Sequence, residues 1–145
     1  MRKSVRRHKT LSAGQTRDLG ESFGRSLKPG DVVALEGDLG AGKTTFVKGA
    51  AEGLGIKNPD DVSSPTFTMI HEYKGRIKIY HLDWYRLSVV RGQDALLSEE
   101  CFSKDAVTFV EWPQRGRNLL PQGHLRVRIR HEGGDQRMVE IEKPA

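Results

Sequence analysis

The feature that most constrains the fold is the stretch GDLGAGKT at residues 37–44, which matches G-x-x-x-x-G-K-[ST] at every fixed position. A loop of this kind leaves a strand, surrounds a triphosphate with backbone N–H groups and opens a helix whose positive end faces the anion. Lys43 would reach the β- and γ-phosphates, and the Thr44 hydroxyl would contact Mg²⁺. The flanking sequence must then supply a strand and a helix.

Both flanks have the character that such a loop requires. Residues 31–36 form a short apolar run after a Pro-Gly turn, which is typical of a buried strand. Residues 44–52 contain no Pro, carry several apolar side chains and end at Gly53, as expected for a helix. We therefore predict ATP binding by the loop and the start of the helix, through Asp38, Leu39, Gly40, Ala41, Gly42, Lys43, Thr44 and Thr45.

A magnesium ion needs an acidic residue beside Thr44, and the ends of two strands compete for that position. Glu111 follows the apolar residues 107–110, whereas Asp83 ends a strand that alternates in character. A carboxylate at the carboxyl edge of the sheet lies where ligands of α/β proteins bind. We predict that Glu111 joins Thr44 as the metal ligand and that Asp83 either supports the metal's ligands or positions water, although either acid could be an ordinary residue at the end of a strand.

Residues 63–66, with the sequence SSPT, are interpreted as a switch segment. The hydroxyls of Ser64 and Thr66 would sense the γ-phosphate or its metal, although such hydroxyls also cap their own backbone. We predict Lys43, Asp83 and Thr66 as catalytic residues. Trp112 either stacks on a base or packs in the core, and the sequence does not decide between these. Arg86 and Arg115 are candidate charge stabilisers or structural ion-pair partners.

The rest of the chain predicts an α/β fold, a P-loop NTPase-like mixed β-sheet flanked by helices, with antiparallel hairpins. Ser12 and Gln15 form a capping box before a helix, in which Gly20 and Gly24 are expected to allow close approach to a sheet. Further predicted elements are strands at 62–70, 76–83 and 107–111, a short helix at 94–102 and a hairpin of residues 125–130 with 139–142.

The final hairpin has a register that can be predicted from its sequence. A loop at residues 133–135 places Val127 opposite Ile141 and Arg128 opposite Glu140. Because acids oppose the arginines, we interpret the arginine row as structural rather than as a nucleic-acid contact.

Charge and composition set further bounds. Of the 24 Lys and Arg residues, five lie within residues 1–9, and the remainder equals the 19 acidic residues. We interpret residues 1–9 as a flexible basic tail, solvated rather than RNA-binding, before a single domain at 10–145. No run approaches the roughly 18 apolar residues that span a membrane, and a lone Cys101 excludes an internal disulfide. We expect a cytoplasmic protein.

Four motifs in order resemble the TsaE (YjeE) family of bacterial ATPases of tRNA threonylcarbamoyladenosine synthesis: residues 37–45, 64–68, 81–87 and 111–113. The resemblance covers residues 12–141 and implies an ATPase that is weak in isolation. It also implies service to the TsaB–TsaD complex, which together with TsaC modifies N6 of an adenosine beside the tRNA anticodon. The tRNA would be a partner only through that complex.

The resemblance also implies roles for particular residues. Those matching Thr44 and Glu111 hold Mg²⁺, and those matching Asp83 and Trp112 belong to the nucleotide site. The start of the first helix near Ala13 and the final hairpin near Gly134 approach the nucleotide.

Three other functions share the same loop. A small-metabolite or nucleotide kinase would need an acceptor pocket and a lid, for which residues 89–104 are poorly suited. A GTPase is disfavoured because no N-K-x-D element follows. A docking switch would bind ATP without catalytic turnover.

Overall fold

The computed structural model describes residues 4–38, 40–66 and 68–144. These residues contain seven strands, three helices and three short 3₁₀ turns at Pro59–Asp61, Pro113–Arg115 and Arg117–Leu119. The longer elements are β1 (Ser4–Thr10), α1 (Ala13–Ser26), β2 (Val32–Glu36), α2 (Lys43–Gly53), β3 (Ile70–Lys74), β4 (Lys78–Asp83), α3 (Gly92–Cys101), β5 (Ala106–Glu111), β6 (Leu125–His131) and β7 (Arg137–Lys143).

The strands form one mixed sheet in the order β1-β7-β6-β2-β5-β4-β3. The four central strands, β6, β2, β5 and β4, are mutually parallel, and an antiparallel extension completes each edge. The predicted fold class is confirmed. Because β2, β4 and β5 run in the same direction, their carboxyl ends meet at one edge of the sheet.

Helices cover the two faces of the sheet unequally. On one face, α1 and α2 build the larger core, in which Phe46 and Phe109 are fully buried. On the other, α3 and the segments after β4 and β5 enclose a smaller cluster around Trp84. Trp84 is fully buried, and its indole Nε1 donates to Ser98 Oγ at 3.0 Å. No helix in the described part of the chain is long and apolar enough to cross a membrane.

Four glycines set the distance between α1 and α2. At Gly20, Gly24, Gly49 and Gly53, an added Cβ would lie only 2.0 to 2.3 Å from a backbone carbonyl oxygen of the opposite helix. The expectation that Gly20 and Gly24 allow approach to a sheet is therefore wrong, since they allow approach to another helix. This close contact holds α2, and hence the loop that precedes it, against α1.

The predicted cap of α1 is present. The Ser12 hydroxyl accepts a hydrogen bond from the backbone N–H of Gln15 at 3.1 Å, and the Gln15 side chain accepts from the N–H of Leu11 at 2.8 Å. The return bond reaches one residue further back than in a standard capping box. The helix nevertheless begins where the sequence predicts.

The N-terminal segment differs from its prediction. The interpretation of residues 1–9 as a flexible tail is wrong for Ser4–Lys9, because residues 4–10 form β1, paired antiparallel with β7 along its whole length. An ion pair between Arg7 and Glu140, at 3.0 Å, spans the two strands. Residues 4–10 form a strand because β7 offers a free edge for pairing, and the charge composition of the segment does not indicate that edge.

The switch segment is also not a strand. Of the described residues in the predicted strand 62–70, only Ile70 enters β3. Pro65 has no N–H to donate to a ladder, and its carbonyl instead accepts from the N–H of Met69 at 2.7 Å, closing a turn in which Met69 has φ 70°. The segment thus crosses the carboxyl edge of the sheet as a loop.

The remaining elements lie close to their predicted positions. The final hairpin has the predicted register, with Val127 opposite Ile141 and Arg128 opposite Glu140. The helix predicted at 94–102 begins two residues earlier, at Gly92, and buries Ser98 and Cys101 while Leu97 stays 39% exposed.

Candidate nucleotide site

The loop between β2 and α2 has a backbone that only glycine adopts easily. Gly42 has φ 106° and Gly40 has φ 77°, both in the left-handed region. Gly42 precedes the first residue of α2, Lys43, and its carbonyl accepts the first helical hydrogen bond, from Phe46 N–H at 3.0 Å. The positive end of α2 therefore opens at the loop, as anion binding requires. Leu39 lies outside the described residues.

A cavity of about 390 Å³ lies in front of this helix start, at the carboxyl ends of β4 and β5. Nine of the predicted site residues, from four separate segments, border it together with Ser64 and Arg137. The nine are Gly40, Gly42, Lys43, Thr44, Thr45, Thr66, Asp83, Glu111 and Trp112.

Lys43 is the central cation of the cavity. Its side chain is only 6% exposed, and Nζ lies 3.7 Å from Glu111 Oε1 and 4.6 Å from the centroid of the Trp112 ring. Nζ makes no hydrogen bond within the described residues. Burial lowers the pKa of Lys43, and this effect outweighs the opposing charges of Glu111 and Asp83. A buried ammonium with unused donors is costly unless an acceptor completes its surroundings.

The described residues hold the Glu111 carboxylate by a hydrogen bond at one of its two oxygens. Its Oε2 lies 2.6 Å from Nε2 of the buried His81, whereas Oε1 faces Lys43 at a distance too long for a hydrogen bond. His81 and Glu111 lie on the same face of adjacent strands, the face that α2 covers. One carboxylate oxygen is thus engaged by the protein, and the other is available to a ligand.

Asp83 has more protein partners than Glu111. Its Oδ2 accepts hydrogen bonds from Thr66 Oγ1 at 2.8 Å and Ser64 Oγ at 3.3 Å, and its Oδ1 accepts from the backbone N–H of Tyr85 at 2.8 Å. The two hydroxyls also lie 2.8 Å from each other. Asp83 therefore anchors the switch segment to the end of β4, and the hydroxyls of that segment engage a carboxylate rather than only their own backbone.

The sequence left open whether Trp112 packs in the core or stacks on a base, and its position combines a core contact with a place in the cavity lining. It has φ 57°, uncommon for a non-glycine residue, and follows Glu111 directly. Its ring lies 4.9 Å from that of Tyr85, with the guanidinium of Arg115 5.7 Å from its centroid. The ring is partly buried against the smaller core and also lines the cavity beside Lys43.

Four of the predicted binding residues lie outside the lining of this cavity. Asp38 and Ala41 border a neighbouring cavity of about 410 Å³ on the β6 side of the loop. Ala13 borders a small space of about 30 Å³ that Gly42 and Thr45 also line. Gly134 borders none of these, although its carbonyl accepts a hydrogen bond from Arg137 at 2.8 Å.

Sequence reasoning missed the roles of His81 and Arg137. For His81 the available signal is the alternation of Ile77, Ile79 and His81 with the residues between them along the strand. Arg137 carried no signal, because one arginine in a hairpin that contains several cannot be distinguished without the fold.

The residues present fit a nucleotide with a divalent cation. The described part of the chain has no group of three or more His, Cys, Asp or Glu side chains that would hold a metal unaided. Thr44 and Glu111 supply oxygen donors of the kind that Mg²⁺ prefers, and Mg²⁺ usually takes phosphate and water as its remaining ligands.

The strand, glycine-rich loop and helix at the carboxyl edge of a mixed sheet define an α/β domain of the P-loop type. The model of the family described as "Threonylcarbamoyl adenosine biosynthesis protein TsaE" matches residues 10–139. The chain belongs to the TsaE family.

Individual relatives agree with this assignment. The tRNA threonylcarbamoyladenosine biosynthesis protein TsaE of Bacillus subtilis is 43% identical over 132 residues, which cover 90% of this chain and 81% of that protein. The protein of the same name from Treponema pallidum is 41% identical over 119 residues, covering 82% and 87%. The crystal structure of YdiB from Bacillus subtilis matches with a TM-score of 0.79 at 36% identity, over 100% of this chain and 89% of that one.

Proposed function

We propose that this protein binds ATP with Mg²⁺ in the cavity before α2 and hydrolyses it in support of the TsaB–TsaD complex, during threonylcarbamoyladenosine modification of tRNA. Membership of the TsaE family supports the pathway. The observation that carries the proposal is the buried Lys43 Nζ, which has no hydrogen-bond partner among the described residues and lies at the positive end of a helix. A triphosphate would supply the missing acceptors.

Six of the residues that line the cavity have roles in this proposal. Lys43 and the N-terminal N–H groups of α2 bind phosphate oxygens, and Thr44 and Glu111 hold the cation. When bound, Mg²⁺ neutralises phosphate charge and orients the phosphates. Asp83 and Thr66 position water near the terminal phosphate. Trp112 closes the cavity beside Lys43.

The geometry favours Glu111 over Asp83 as the direct metal ligand. Oε1 of Glu111 receives no hydrogen bond within the described residues, whereas both oxygens of Asp83 accept protein hydrogen bonds. Because Asp83 already holds the hydroxyls of Ser64 and Thr66, it is better suited to arranging the switch segment and water than to binding metal.

The partner and the compartment are part of the same proposal. The tRNA is contacted through the TsaB–TsaD complex, and the arginine row of β6 does not bind it independently, since Arg126 and Arg128 are paired with Glu36, Glu140 and Glu142. A cytoplasmic location is consistent with the one cysteine, Cys101, which is a buried free thiol.

Calorimetry with ATP and Mg²⁺ tests the binding step. We expect Lys43→Ala to abolish measurable binding, and Lys48→Ala, on the same helix but outside the cavity, to bind like the parent. Equal affinity of the Lys43 variant and the parent would refute the proposed site.

Phosphate release tests the second step. We expect slow release by the chain alone and faster release when TsaB and TsaD are added. Fast turnover that does not depend on these partners, or transfer of phosphate to a small metabolite, would instead support a kinase.

A further inference from the structure

Arg137, the first residue of β7, connects the final hairpin to the phosphate-binding loop. Its Nε donates to the carbonyl of Ala41 at 2.7 Å, and its Nη2 lies 3.4 Å from the carbonyl of Gly40. Its Nη1 donates to the carbonyls of Gly134 and Gln136 at 2.8 and 2.9 Å. One guanidinium thus bonds two segments that are about a hundred positions apart in the sequence.

These contacts determine which way the loop's peptide groups point. In a trans peptide the C=O and the following N–H point in opposite directions, and the described residues contain no cis peptide bond. With the Ala41 carbonyl held by Arg137, the N–H of Gly42 points away from the guanidinium. The orientation of that donor, at the start of α2, therefore depends on a side chain from the far edge of the sheet.

No carboxylate in the described part of the chain forms an ion pair with Arg137. Arg7, Arg126 and Arg128, on the same part of the sheet, each form an ion pair with a glutamate. Arg137 forms none within the described residues, and all its recorded acceptors are backbone carbonyls. It also borders the cavity that contains Lys43. The positive charge of Arg137 therefore lies beside the proposed phosphate site and can contribute to binding there.

We infer that Arg137 is a positioning residue of the nucleotide site, which holds the phosphate-binding loop in its binding-competent conformation and adds uncompensated positive charge beside it. The inference rests on the proposed function. A lysine at this position would retain the charge but would lack the planar set of donors that reaches both the loop and the hairpin.

The test compares Arg137→Gln and Arg137→Lys with the parent and with Arg7→Gln, a control that removes an ion-paired arginine from the neighbouring strand. Amide hydrogen exchange of residues 40–44, measured on the full chain without nucleotide, reports on the loop itself. We expect faster exchange in both Arg137 variants and parental exchange in the Arg7 variant.

Calorimetry with ATP and Mg²⁺ supplies the second readout. We expect the Kd to rise about tenfold or more in Arg137→Gln and less in Arg137→Lys, because charge-assisted hydrogen bonds are lost. If the Arg137 variants keep the parental loop exchange and a Kd within about twofold of the parent, with only a lower Tm, then Arg137 only stabilises the hairpin. That outcome would overturn the inference. If the parent itself fails to bind ATP, the proposed function fails, and the nucleotide-free exchange still decides on Arg137.

Discussion

Nε2 of His81 and Oε2 of Glu111 lie 2.6 Å apart. The two residues are on the adjacent parallel strands β4 and β5, and both are almost completely buried. This hydrogen bond fixes one oxygen of the carboxylate and leaves the other directed at Lys43. In the proposed site Glu111 holds Mg²⁺, and a group that orients a metal ligand affects metal affinity, so His81 is expected to influence magnesium binding from within the core.

Replacing His81 should therefore weaken magnesium-dependent binding. We expect His81→Phe to raise the Mg²⁺ concentration for half-maximal ATP binding by about tenfold or more, and His81→Gln to raise it less because an amide still donates. Magnesium titrations monitored by calorimetry provide the measurement, with His124→Gln as the control. A purely structural role would lower Tm in His81→Phe without moving the titration.

Substitutions of Asp83 and Glu111, at the ends of β4 and β5, should impair different steps, magnesium-dependent binding and hydrolysis. Glu111→Gln should raise the Mg²⁺ requirement for ATP binding, since it removes the carboxylate that we propose as a metal ligand. Asp83→Asn should leave that titration nearly unchanged while partner-stimulated hydrolysis falls about 10²-fold or more. If Asp83→Asn shows the Mg²⁺ defect and Glu111→Gln does not, the two assignments must be exchanged.

The contact between α1 and α2 predicts opposite effects for two glycine substitutions in one helix. In Gly24→Ala the new Cβ would lie 2.2 Å from the Ala50 carbonyl oxygen, so the helices must separate, at a cost of about 1–3 kcal/mol. In Gly14→Ala the nearest atom, Ser12 Oγ, is 3.7 Å away, and helix propensity should stabilise the protein by about 0.5–1 kcal/mol. Urea unfolding of both variants measures the difference, and equal stability would mean that the interface can relax.

Glu36 should make stability depend on acid pH. Partial burial acts to raise the pKa of Glu36, but hydrogen bonds from Arg117 and Arg128 and the charge of Arg126 outweigh it and lower the pKa from 4.5 to about 2. A lowered pKa in the folded state contributes stability that is complete above about pH 4.5 and is lost as the pH falls towards 2.

Allowing for solvent screening, we expect this contribution to be about 1–2 kcal/mol. Glu36→Gln should remove it, so that the free energy of unfolding of the parent and the variant converge as the pH falls from about 5 to about 2. Glu132→Gln, at an exposed residue with no recorded ion pair among the described residues, should follow the parent throughout. A constant difference between the parent and Glu36→Gln over that range would be inconsistent with the pKa shift.

Local sequence was sufficient for features whose cause is local. The loop at residues 37–44 was predictable because a left-handed backbone at a helix start demands glycine, and Gly42 has that backbone. The cap of α1 by Ser12 and the register of the final hairpin were predictable for the same reason, since a cap and a short hairpin loop each span only a few residues.

The errors concern partners that are distant in sequence. Residues 4–10 contain no strong strand signal, and they become β1 because β7 offers a free edge. Gly20 and Gly24 mark a close approach, as predicted, but the neighbouring element is the helix α2 and not the sheet. The spacing of residues along a helix does not indicate which element packs against it.

The sequence alone determined the fold class, the position of the glycine-rich loop at residues 37–44 and a short set of candidate acids and hydroxyls, because each depends on backbone conformation or hydrophobic pattern within one segment. Only the tertiary structure decided that His81 holds Glu111, that Asp83 holds the switch segment and that Arg137 holds the loop. Hydrogen bonds between distant segments depend on strand order and register, which bring together side chains that no local pattern relates.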